Sequence, residues 1–159
     1  MRADWSAAGR RRLTVSMKTI IYTQPGPSSV LTLVDREPAT PGPGEVRVRI
    51  AVSGVNPTDW KSRTTAAPTE GDEIVPNQDG AGVVDVVGEG VDSVSVGDRV
   101  WVFYAQAGGP TGTAQESTVL PATRVVRLPE GIDFDVAASL GVPAVTAHRA
   151  LTVDRKSVV

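Results

Sequence analysis

In "EVRVRIAV", Val46, Val48, Ile50 and Val52 alternate with Arg47, Arg49 and Ala51. This period of two buries one face of a strand and turns the other, with its arginines, to water. Earlier, "KTIIYT" and "LTLVD" predict two short strands separated by the turn "GPSSV", and "PATPGPGE" then predicts an extended, turn-rich connection. Further on, "GVVDVV", "DRVWVFY" and "TAQESTVL" are strand candidates, each five to eight residues long, at the close spacing of a barrel or sandwich. Between them, "GVNPTDWKSR" breaks the alternation. The residue before Pro57 is pushed out of the helical region, and Asn and Asp favour capped turns, which predicts a loop that opens at most a short helix. The pattern changes after "LPEG", where Asp133 or Asp135 can cap a short helix through "VAASL". "PAVTAHRAL" starts another, with Pro143 near its first turn. The chain therefore reads as mainly β first and helical last, and the final "KSVV" looks like the start of a further strand.

Composition narrows this picture. The chain has 159 residues, enough for one ordinary domain with a substantial core. Sixteen glycines and 12 prolines favour turn-rich β architecture. A net charge of −2, with both signs mixed and no basic stripe after residue 13, suits neither nucleic acid nor an anionic membrane. The absence of cysteine removes disulfides, thiolate zinc sites and cysteine nucleophiles together, and fits a reducing cytoplasm. No apolar run approaches the roughly 18 residues of a membrane span. Residues 1–16 are Arg-rich but lack the apolar centre of a secretory signal; they read as a loose tail, or an overextended start upstream of Met17, in preference to a transit peptide.

The stretch "PNQDGAGVVDVVGEGV" raises the question of a nucleotide-phosphate loop. A dinucleotide fingerprint needs glycines at the first, third and sixth positions between strand and helix. Counting from Gly80 gives Gly82 and then Asp85; counting from Gly88 gives Gly90 and then Ser93, and both runs lead into strand-like valines. These glycines are read as turn and bulge positions. His148 is the single histidine, which excludes a site built on two imidazoles; in "TAHRAL" it reads as a helix-face residue rather than a general acid or base. Glu70, Asp72 and Glu73 read as a solvated loop, and no acid–base pair is assigned.

With those residues in view, "GVNPTDWKSR", "PNQDGAGVVDVVGEGVDSVSVGDRVW" and "LPEGIDFDVAASLGVPAVTAHRAL" together resemble the N-terminal, GroES-like catalytic domain of the medium-chain dehydrogenase/reductase superfamily, in its zinc-free quinone oxidoreductase branch. The resemblance runs from about Met17 to Leu151. It implies a GroES-like, partly open β-barrel with C-terminal helices. Where zinc-dependent members carry a Cys and a His-Glu pair, this chain has Asn56 and Gln78-Asp79, which implies no metal. Without a Lewis acid the hydride acceptor must already be electron-poor, as quinones and conjugated enones are.

The resemblance further implies NADPH as cofactor, with Asn56 and Asp59 near the nicotinamide and ribose and Thr146 bonding the nicotinamide end from the last helix. Trp60 and Lys61 would border the substrate pocket. Lys61 replaces the aromatic residue some members carry, and Asn77 stands where glycine is common, a change Asn accepts because it tolerates positive φ. Residue chemistry alone leaves two alternatives open: Asn56 and Asp59 shaping the loop around Pro57, and Thr146 bonding back into its own helix. The expected organisation is a tail over 1–16, the GroES-like domain over 17–151, and at 152–159 the start of a link to a Rossmann domain that the sequence does not include. The expected function is the catalytic portion of an NADPH-dependent quinone or enone oxidoreductase, inactive by itself and weak in cofactor binding, with possible self-association. Two other readings stand beside it: a stand-alone binding or assembly module without catalysis, and half of a split enzyme.

Overall fold

The computed structural model describes residues 16–65, 68–69 and 71–153. The N-terminal tail before Ser16, Glu70 and the "KSVV" segment lie outside the described residues.

Seven strands and three short helices are described. β1 (Met17–Ile21) pairs antiparallel with β2 (Thr32–Arg36), Met17 facing Arg36 and Ile21 facing Thr32. The other strands are β3 (Glu45–Gly54), β4 (Asp79–Val87), β5 (Arg99–Val102), β6 (Ser117–Pro121) and β7 (Val125–Arg127). They form one open antiparallel sheet in the order β6-β3-β4-β5-β7. The two sheets are stitched together by β1: Ile20 N–H donates to Ala114 O at 2.9 Å, and Glu116 N–H to Lys18 O at 3.0 Å. Mainly β, with open sheets and a few short helices, this is the architecture the alternation and the resemblance lead one to expect.

The core follows from the alternation. Val46 and Val48 of β3 meet Val84, Val100, Val102 and Leu120 from the neighbouring strands, all at most 1% exposed. Each such side chain contributes roughly 1.5–3 kcal/mol by removal from water. On the outer face Arg49 is exposed, but Arg47 is half-buried in a fork-like ion pair with Asp85, at 2.9 and 3.0 Å. The cause is a shift of register. Arg47 faces Val86 and Val48 faces Val84, so Asp85 is left between ladder partners with its carboxylate against the arginine. A second shift, between Ile50 and Val52, lies beside Gly82, where an added Cβ would strike the Arg49 carbonyl. Gly80 and Gly82 thus lie inside β4, and Gly90 has φ 76° beyond its end. The glycines shape the sheet, as the failed fingerprint indicates.

Two elements differ from expectation. α1 (Pro57–Thr65) makes nearly all of the expected loop helical, nine residues where only the opening of a short helix was foreseen, so a helix interrupts the strands between β3 and β4. The reason is local. Pro57 opens the helix, where its missing N–H costs nothing, and the Asp59 carboxylate reaches back to the Asn56 backbone N–H at 2.6 Å. β7 did not stand out in the pattern, because Val125 is buried while Val126 and Arg127 of its three residues are exposed.

At the C-terminal end, α2 (Phe134–Ala137) begins after Asp133 as expected, although the Asp133 side chain makes no capping bond. Ala137 and Ala138 pack on Ala81 of β4, and the guanidinium of Arg99 sits 4.5 Å from the Phe134 ring centroid. The chain then widens through a π-type turn over Leu140–Ala144, with Pro143 inside it, before α3 (Val145–Thr152). Small residues let α2 approach the sheet: at Gly54, an added Cβ would lie 2.6 Å from the Ala138 carbonyl oxygen. No helix among the described residues is long and apolar enough to cross a membrane.

Candidate functional site

At the end of β3 the chain turns through Val55 and Asn56 into α1, and this turn faces the first residue of β4, Asp79. Asn56 Nδ2 donates to Asp79 Oδ2 at 2.8 Å, and the Val142 backbone N–H donates to the same oxygen at 2.7 Å. One carboxylate therefore joins the β3–α1 turn, the start of β4 and the π-type turn before α3. Gly141 lies directly on that carboxylate, where an added Cβ would collide with Asp79 Oδ1. Its backbone, at φ −65° and ψ −108°, is the kink that delivers the Val142 N–H.

Asn56, Asp59 and Asp79 are 5%, 6% and 0% exposed, so a hydrogen-bonded polar cluster is sealed inside the protein. Asp59 Oδ1 and Asp79 Oδ1 are both buried and have no hydrogen-bond partner among the described residues. Burial, above all, raises the pKa of both carboxyls. The negative charge of Asp79 adds to this effect at Asp59, while hydrogen bonds from Asn56 oppose it at both. Asn77, two residues before Asp79, adopts φ 77°, the left-handed conformation that Asn accepts more readily than most residues.

Three clefts surround α1 and the C-terminal segment. The first, of about 190 Å³, is lined by Gly54, Asn56, Ala138, Ser139 and Pro143. The second, of about 240 Å³, lies against Tyr22, Ser62, Ile74, Gln78 and Gln106. The third, of about 260 Å³, is bounded by Trp101, Leu140, Ala144, Val145 and His148. His148 is exposed on α3, and its carbonyl accepts the Thr152 hydroxyl at 2.7 Å.

Of the residues singled out by resemblance, the structure brings Asn56 and Asp59 together and adds Asp79 between them and the C-terminal turn. Thr146 is exposed on α3, and no hydrogen bond among the described residues joins it to that cluster or back into its helix. Trp60 and Lys61 are exposed on α1, the lysine ammonium 5.8 Å from the indole centroid, and neither lines the clefts named above. Residue reasoning did not reach Tyr22, Gln106 or the Val142 N–H. None carries a local signal, because each acts through a partner at least 28 residues away, such as Gln78 for Gln106 and Asp79 for Val142. Among the described residues, no group of three His, Cys, Asp or Glu side chains is placed to hold a metal ion.

Comparison with known proteins agrees with this geometry. The model of the alcohol dehydrogenase GroES-like domain matches residues 42–130. A quinone oxidoreductase of Pseudomonas aeruginosa is 40% identical over 131 residues, covering 82% of this chain and 39% of its own length. A crystal structure of a quinone oxidoreductase from Pseudomonas syringae superposes with TM-score 0.78 at 35% identity, covering 87% of this chain and 41% of that one. A mycobacterial protein solved in complex with NADPH gives TM-score 0.74 at 30% identity, over 88% of this chain and 41% of that one. The chain thus spans about two-fifths of the length of these relatives. From Gly42 to Glu130 it belongs to the alcohol dehydrogenase GroES-like domain family, and it is similar to the quinone oxidoreductases named above.

Proposed function

We propose that residues 17–151 form the substrate-side domain of an NADPH-dependent reductase that passes hydride to a quinone or conjugated enone without a metal. The observation that carries this reading is the Asn56–Asp59–Asp79 cluster at the edge of the cleft running to Pro143, just before α3. The donor set supports the metal-free part. Asn56 and Gln78 offer carboxamides, and Asp79 is already committed to two N–H donors, whereas zinc is held by thiolate, imidazole or free carboxylate.

The residues fit one end of the cofactor. Asn56 lines the cleft and would meet the nicotinamide end, Asp59 behind it accepts the Asn56 backbone N–H and holds the turn toward the ribose, and Thr146 offers an exposed hydroxyl on the helix that follows the cleft. When bound, the reduced nicotinamide supplies the hydride. The chain's own residues bind and orient it: Asp79 fixes the Asn56 amide, Val142 and Gly141 close the turn over that carboxylate, and the apolar floor of Val52, Ala138 and Pro143 excludes water. Among the described residues the phosphates find no glycine loop, because the glycines of β4 are ladder positions. Three or more missing charge-assisted contacts, at roughly 1.5–3 kcal/mol each, weaken NADPH by at least a few powers of ten.

Titration of the 159-residue chain with NADPH and with reduced nicotinamide mononucleotide tests this reading. Both should bind with similar, roughly millimolar affinity and move the side-chain amide signals of Asn56, and Asn56→Ala should weaken that affinity for both. Micromolar NADPH binding, or no response at Asn56 to either ligand, would overturn it.

A further inference from the structure

Asn77 is held at φ 77°, in the left-handed conformation that glycine adopts at least cost. Its side chain begins a run of hydrogen bonds. Asn77 Nδ2 lies 2.9 Å from Ser53 Oγ, Ser53 Oγ lies 2.8 Å from Thr113 Oγ1, and Thr113 Oγ1 lies 2.6 Å from the Asp79 carbonyl oxygen. The last link fixes the direction of all three. A carbonyl oxygen only accepts, so the Thr113 hydroxyl donates to Asp79. With its one proton committed there, Thr113 can only accept from Ser53, and Ser53, whose proton is then committed in turn, can only accept from the Asn77 amide nitrogen. The result is a directed relay that starts at the Asn77 side chain and ends on the main chain of Asp79.

We infer that Asn77, Ser53 and Thr113 are positioning residues for the Asn56 amide: their relay sets where Asp79 stands relative to the end of β3, and Asp79 orients Asn56. The assignment rests on the reductase reading above, which brings Asn56 to the nicotinamide end, and deepens it by naming what holds that amide in place. Ser53 lies on β3 shortly before Asn56, and in the β3–β4 ladder it faces Gly80 while Gly54 faces Asp79. The relay therefore ties together the two segments that the 2.8 Å bond from Asn56 Nδ2 to Asp79 Oδ2 spans. Thr113, between them, is fully buried, and its backbone N–H donates to Asn77 O at 3.0 Å, so the loop before β6 grips Asn77 and Asp79 at once. Space is fixed as well: an added Cβ at Gly80 would lie 3.2 Å from the Thr113 side chain, and one at Gly112 would collide with the Asn77 carbonyl. None of the three residues lines the clefts named above, so each acts through Asp79 and not by touching a ligand.

The test uses the full chain and reduced nicotinamide mononucleotide, with ¹H–¹⁵N spectra of the Asn56 side-chain amide and urea unfolding read on every variant. Asn77→Gly removes the donor but suits positive φ. It should leave the unfolding midpoint nearly unchanged, yet shift the Asn56 amide signals of the ligand-free chain and weaken mononucleotide binding by about threefold to tenfold. Asn77→Asp, which keeps the size and puts an acceptor where the relay needs a donor, should do the same at least as strongly. Thr113→Val keeps the shape without the hydroxyl and should also weaken binding, whereas Thr113→Ser keeps the hydroxyl and should bind like the parent. If Thr113→Val does not fold, the two Asn77 variants decide. A role confined to folding would lower the midpoint and leave the Asn56 signals and the affinity where they were. That result, or Thr113→Ser binding as weakly as Thr113→Val, would overturn the relay. The two ideas fail separately: Asn56 signals that move in the ligand-free variants of a chain the mononucleotide never binds sink the cofactor reading and leave the relay standing.

Discussion

Asp79 has no exposed surface, yet one of its oxygens receives two hydrogen bonds and the other none among the described residues. Such a carboxyl is easier to protonate folded than unfolded, and the same holds for Asp59. The sign follows from linkage. Between the ordinary aspartate value of about 3.9 and the raised folded value, the native state holds more protons than the unfolded one, so stability is complete at the acid end of that window and falls as pH rises through it. Asp79→Asn removes one such proton and should flatten that fall, leaving the part due to Asp59, when urea unfolding is followed across the window. Asp79→Ala strands the Asn56 amide and the Val142 N–H and should cost roughly 1–3 kcal/mol. At this scale the sequence disclosed which residues to watch but not how they connect. Asn56 and Asp79 are 23 positions apart and Asp79 and Val142 are 63 apart, and no local rule links residues at those separations.

At the scale of elements, legibility tracks periodicity. β3 was plain because four apolar positions alternate over most of its length, whereas β7 has one buried side chain in three residues and left no pattern to find. α1 was read only as a loop opening a short helix, although its signature was present. Asn56, Pro57 and Asp59 supply the entry residue, the first-turn proline and the carboxylate reaching back to the turn, but only Asp59 of the helix is buried, so it lacks an apolar stripe. The same logic grades mutations. Leu120→Ala in β6 removes a side chain 1% exposed at the centre of the core and should cost about 2–5 kcal/mol by denaturant unfolding. Val126→Ala in β7, at 38% exposure, should change stability by no more than about 0.5 kcal/mol.

For the molecule as a whole, apolar surface is uneven. α3 buries no residue, and Val145 and Leu151 on it, with Val153 just beyond and Val136 on α2, are exposed. An uncovered apolar helix favours association, so sedimentation velocity should show concentration-dependent self-association that Leu151→Glu reduces. A monomer at every concentration would contradict this.

The adjacency of Gln78 and Asp79 has one more consequence. A single residue inserted just ahead of Gln78 that slides this segment forward by one would put the Gln78 amide in the Asp79 position and Asp79 in the Gly80 position of β4, where an added Cβ would lie 3.1 Å from the Val52 carbonyl oxygen. A change of length by one, with every other amino acid kept, would thereby remove the acceptor that ties Asn56 to Val142 and crowd the sheet at the same time. For this stretch, spacing is as much a chemical variable as identity.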